Sequence, residues 1–199
     1  MKRTQFRRDV ARAVRTVSKK SGWRASQGCL FREFDDWFVS ASPVVALNAA
    51  STRGVVRAKP MSIDPLFWEI VGLPENKQQP LSFRLTGAFT CREPTFRETA
   101  IEEAENPEAV AARLLELANA SLKDLERYSI DQFIDLCRAG GADADSYISA
   151  MVPALIVSDR QGEALDACRA ARERDSGGGF FFPDGSFCDL AIRWIERRN

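Results

Sequence analysis

Four glutamates, Glu98, Glu102, Glu103 and Glu105, fall close enough together to offer carboxylate oxygens to a hard divalent cation. The favoured reading of them is a solvated acidic lead-in, with Glu108, to a helix that starts near Asn106, where negative charge suits the helix N-terminus. Arg32 and Arg84 lie in stretches with strand character. They would meet a carboxylate or phosphate if their faces turned into a cleft, with Trp37 as an aromatic contact beside them. Otherwise they are exposed strand arginines guarding a sheet surface or edge. The chain has no histidine, which removes the usual general base at neutral pH, the histidine-activated nucleophiles and the commonest metal ligand. Its five cysteines, Cys29, Cys91, Cys137, Cys168 and Cys188, form no C-x-x-C pair, and the last three lie on apolar helical faces. Gly177-Gly178-Gly179 is not followed by Lys-Ser or Lys-Thr, and no G-x-G-x-x-G occurs. No catalytic residue, metal ligand or cofactor is assigned from these patterns.

The elements that must position these residues begin with a hairpin. Cys29 to Phe34 and Trp37 to Ser42 are aromatic and β-branched runs separated by Asp35-Asp36, a turn of residues that tolerate positive φ. A third strand spans Thr52 to Lys59, and the alternation Leu81-Ser82-Phe83-Arg84-Leu85 predicts a fourth. Pro43 to Asn48 either extends the second strand or forms a short buried link. Ahead of the hairpin, Thr4 to Lys20 reads as an amphipathic helix, with Phe6, Val10, Ala13, Val14 and Val17 opposite Arg8, Arg12, Arg15 and Lys19.

Helical signals dominate the rest. Asp64 before Pro65 suggests a capped short helix ending at Gly72. Asn106-Pro107-Glu108 opens a long helix, and Ser129 to Gln132 has the form of a capping box. Ser146 to Val157 and Gly162 to Arg174 form a helix pair with Pro153 as a kink or restart, and a final helix from Ser186 buries Phe187, Leu190, Ala191, Trp194 and Ile195. Phe180, Phe181 and Phe182 cannot all point inward on a strand or helix, so at least one is expected to be exposed or covered by another surface. These three are the candidate interface.

The pattern predicts an α+β fold: a largely antiparallel sheet of about four strands packed by helices over residues 1–140, with a helical C-terminal extension over 141–199. No apolar run approaches the roughly 20 residues a bilayer demands, and unpaired cysteines suit a reducing compartment, so a cytoplasmic protein is expected. Between Met1 and Arg24 nine basic residues face Asp9 alone, yet the formal net charge is +0, which leaves little long-range field to gather nucleic acid.

The order helix, hairpin, third strand, short helix, strand and long helix resembles the bacterial Domain of Unknown Function 4304 family over roughly residues 6–138. The residues that carry the likeness are Leu30-Phe31-Arg32-Glu33, Trp37-Phe38-Val39, Arg53-Gly54-Val55-Val56 and Phe83-Arg84-Leu85-Thr86-Gly87. The resemblance implies an α+β fold and a bacterial source and transfers no catalytic residue. The expected function is a non-catalytic binding or protein-interaction module, with a protein partner or a second copy as occupant and no nucleic acid or membrane. The alternative is a small carboxylate- and metal-dependent hydrolase or nucleotide-acting enzyme.

Overall fold

The computed structural model describes residues 3–45, 52–101 and 106–198. It is α+β, with a five-stranded antiparallel sheet whose strands lie side by side in chain order and a two-stranded ribbon. The chain divides into two compact units, Met1–Ala58 with Thr95–Arg127, and Lys59–Pro94 with Tyr128–Asn199. No helix among the described residues is long and apolar enough to cross a membrane.

In the first unit α1 (Arg3–Ser18) buries Phe6, Val10, Ala13 and Val14 and leaves Arg8, Arg12 and Arg15 in water. Strand β1 (Arg24–Ser26), which the sequence pattern does not predict, pairs with β2 (Cys29–Phe34) around a turn in which Gln27 and Gly28 both have positive φ. Strands β2 and β3 (Trp37–Val45) form the expected hairpin, with Phe34 opposite Trp37 and Asp35 at φ 48 in the turn. Strand β4 is Thr52–Pro60, whose last two residues count with the second unit, and β5 is Thr95–Ile101, antiparallel to β4.

Helix α4 (Pro107–Leu125) starts as its sequence dictates. The Asn106 side chain accepts from the N–H groups of Glu108 and Ala109, and Pro107 occupies a position where no donor is needed. The helix packs on α1, β3 and β5. At Gly54 the approach is close, since a Cβ there would stand 2.9 Å from Leu117 Cδ2. Trp23 is buried in this unit, and its indole N–H donates to Asn119 Oδ1 at 2.9 Å.

The sheet's last strand corrects the sequence reading. Residues 81–85 are not a strand: α3 (Phe83–Thr86) is a single helical turn in an otherwise irregular stretch, and Thr95–Ile101 supplies the strand instead. Of the proposed link at 43–48, Pro43 to Val45 extend β3, and the remainder lies outside the described residues.

The second unit is built on α2 (Ile63–Ile70), α5 (Ile130–Arg138), α6 (Ile148–Val157), α7 (Gln161–Glu173) and α8 (Phe187–Glu196). Helix α6 touches each of the other four and is apolar nearly all round, as a central helix must be. Capping boxes at Ser129 with Gln132 and at Ser186 with Asp189 start α5 and α8. A ribbon of β6 (Phe181–Phe182) and β7 (Gly185–Ser186) precedes α8.

Candidate functional site

Lys59, near the end of β4, is the most unusual residue of the second unit, because lysine is almost never fully buried unless paired and its side chain is 0% exposed. Its ammonium lies 3.1 Å from Asp64 Oδ2 and 3.4 Å from Glu93 Oε2, and it donates to the carbonyls of Arg84 at 3.0 Å and Cys91 at 2.8 Å. Asp64, also 0% exposed, accepts in addition from the Arg84 guanidinium at 3.0 Å and from the Cys91 N–H at 2.9 Å. Asp64 is therefore not the helix cap that its place before Pro65 suggests. Ser62 occupies the cap position without a side-chain bond, and the Asp64 carboxylate turns inward.

Burial alone would push the Lys59 pKa down, and it is the strongest single influence. Asp64 and Glu93 together outweigh it, so the pKa stands above the usual 10.5. Burial and the Asp64 carboxylate hold the Cys91 thiol well above its usual 9.0. That thiol has a structural partner. Pro153 inside α6 has no N–H to offer the Ser149 carbonyl four residues back, and Cys91 Sγ donates to that oxygen at 3.1 Å.

Two cations and two carboxylates thus close on one another, and a protonated thiol closes the gap in α6. A lysine held charged with its protons taken is no nucleophile, and neither is a buried thiol. The cluster is a clamp that fastens residues 84–93 to the end of β4 and the start of α2. Trp68 adds a further stitch, its indole N–H donating to the Phe89 carbonyl at 2.6 Å.

The surface of the same unit is different. In the stretch Phe180 to Phe182 alternate residues point to opposite sides, as an extended chain requires. Phe180 packs on Phe67 (5.2 Å between ring centroids) and Phe89 (6.1 Å), Phe182 packs on Phe89 (5.2 Å), and Phe181 is 72% exposed. Phe181 lies across Gly177, where φ is +60 and a Cβ would come within 2.8 Å of the ring. Phe89 holds a positive φ of 58, an uncommon and costly conformation for a bulky residue, and its ring is partly exposed.

Beside the ribbon turn, a cleft of about 680 Å³ is lined by the end of α2 (Glu69, Ile70, Gly72), Asp184 and the outer side of α8. Arg198 reaches Glu69 at 2.8 Å and stacks 3.7 Å above the Trp194 ring, while Lys77 takes the other Glu69 oxygen at 3.0 Å. These two hydrogen bonds hold the Glu69 pKa below the usual carboxylate range. Arg193 donates to the Asp184 carbonyl at 2.8 Å.

The residues singled out from sequence are distributed rather than gathered. Arg32 belongs to the first unit, where its guanidinium lies 5.7 Å from the Trp23 ring and 5.9 Å from that of Phe34. Trp37 is buried in that unit's core, so it offers no open face to a ligand. Arg84 belongs to the second unit and is spent on Asp64, the Met61 carbonyl and the face of Trp68. Of the acidic stretch, Glu98 pairs with Arg53 at 2.6 Å, and Glu102, Glu103 and Glu105 lie outside the described residues. Cys137, Cys168 and Cys188 are buried as their helical faces imply. A hydrogen bond between the Cys168 and Cys188 thiols raises the pKa of the first and lowers that of the second.

Sequence reasoning missed the clamp and the cleft. Lys59, Asp64 and Glu93 are scattered along the chain with no motif to join them. The cleft has a signal in sequence, since Arg193, Trp194, Arg197 and Arg198 crowd the end of α8, but helical periodicity points only to that helix's core face. Trp194 and Leu190 are half-buried rather than buried. No family model, curated protein or solved structure matches the chain.

Proposed function

We propose that the protein is a non-catalytic cytoplasmic binding module that makes contact through the aromatic ribbon of its second unit. The observation that carries this reading is the contrast between saturated interior chemistry and an aromatic surface held at conformational cost. Phe89 keeps a left-handed backbone that presents its ring against Phe180 and Phe182, and Phe181 stands in water on the same ribbon. Strained residues cluster where a surface is shaped for contact. An exposed aromatic ring offers large contact area at little entropic cost.

The occupant favoured for Phe181 is a second copy of the chain, tested by sedimentation of wild type and Phe181→Ser over a range of concentrations. A wild-type mass above the monomer's 22.2 kDa, falling to it in the variant with an unchanged melting temperature, supports the reading. A monomer in both, with the same melting temperature, removes the ribbon as a self-association surface.

A further inference from the structure

The cleft at the end of α8 has the makings of a ligand site. Its volume falls among those of small-molecule pockets, and its lining includes the apolar side chains of Ile70, Leu190 and Trp194. Two of its arginines are held in place, Arg198 between Glu69 and the Trp194 ring and Arg193 on the Asp184 carbonyl. Arg197 has no side-chain partner among the described residues. Helix capping does not occupy it either, because the helix end is closed by backbone, Arg197 N–H to the Arg193 carbonyl at 3.3 Å and Arg198 N–H to that of Ile195 at 3.0 Å.

The side chains that line the cleft carry a net positive formal charge, three arginines against Glu69 and Asp184. Glu69 is neutralised by Arg198 and Lys77, so among the described residues that line the cleft the exposed Asp184 carboxylate is the like charge an incoming anion meets, against Arg193 and Arg197. A planar guanidinium matches carboxylate and phosphate oxygens with two parallel bonds.

We infer that this cleft binds a small molecule with an oxyanion head, carboxylate or phosphate, on a flat apolar body. Arg197 takes the head, and Leu190 with the part of Trp194 that Arg198 leaves uncovered takes the body. The inference goes beyond the ribbon reading: it gives the same unit a second contact site and names the ligand class for it.

The test is a titration followed by the indole N–H signal of Trp194 in a nitrogen-15 correlation spectrum, assigned with Trp194→Phe. The probes are phenyl phosphate and benzoate, with sodium chloride at matched ionic strength as control. A saturable shift of the Trp194 signal with either probe, leaving the buried Trp23 signal in place, is expected. It should be lost in Arg197→Ala at an unchanged melting temperature. The probe that acts tells phosphate from carboxylate. No shift with either probe, or a shift that survives Arg197→Ala, overturns the inference. Phe181→Ser should leave the shift intact, so a failure of the cleft and a failure of the ribbon are read separately.

Discussion

Lys59 and Arg198 both pair with carboxylates inside the second unit, one with 0% of its side chain exposed and the other with 51%. Around Lys59 every charge has an opposite within reach, and the backbone carbonyls of Arg84 and Cys91 complete the set. Around Arg198 the pairing is partial, one arginine is left over, and water is the competing partner. Desolvated charges are costly to orphan, so the buried set is tied to folding, while exposed pairs add little and can be exchanged for a ligand.

The largest effect should come from Lys59→Met. It leaves Asp64 and Glu93 buried without their common cation, and such a loss costs about 3–5 kcal/mol. Calorimetry should show a fall of roughly 10 °C in melting temperature for a chain of this size. A change of a degree or less would mean that water enters the clamp.

Alkaline pH should weaken the same region with wild-type residues. The folded pKa of Cys91 is raised, so its contribution is fully present below the unfolded value of 9.0 and is lost as the pH rises beyond it. Cys137, pushed up to about 12 by burial, acts in the same direction. Lys59, raised above 10.5, keeps its contribution below that pH and loses it as the pH climbs through the folded value. Melting temperature should therefore decline from about pH 9 upward. A flat profile to pH 11 would contradict the burial of these groups.

Arg198→Ala should be the mildest change. Its pair with Glu69 is half in water, and such pairs contribute about 0.2–1 kcal/mol. A loss as large as that of Lys59→Met would make the cleft a fold element.

The same contrast explains what could be read from sequence. The hairpin, the helix starts and the caps other than Asp64 were legible because they depend on neighbours along the chain, as in Phe34 opposite Trp37 or Asn106 before Pro107. The stretch 81–85 alternates like a strand, yet Arg84 is drawn to Asp64 and its carbonyl to Lys59, contacts made across 20 and 25 residues. Local pattern carries no sign of them. Strand β5 is hidden because Glu98 reads as part of the acidic lead-in to α4, whereas Glu98 pairs with Arg53, and its neighbour Arg97 with Asp124. The exposed phenylalanine was legible from alternation alone, although which of the three was not.

The most direct measurement of the division between folding charge and binding charge is the phenyl phosphate and benzoate titration repeated on Glu93→Gln. This variant removes one formal charge from the clamp and keeps an oxygen acceptor for Lys59. If the buried charges serve folding alone, the melting temperature falls while the Trp194 signal shifts as in wild type. A folded variant in which the Trp194 response is lost would make the clamp part of the binding machinery and contradict the division.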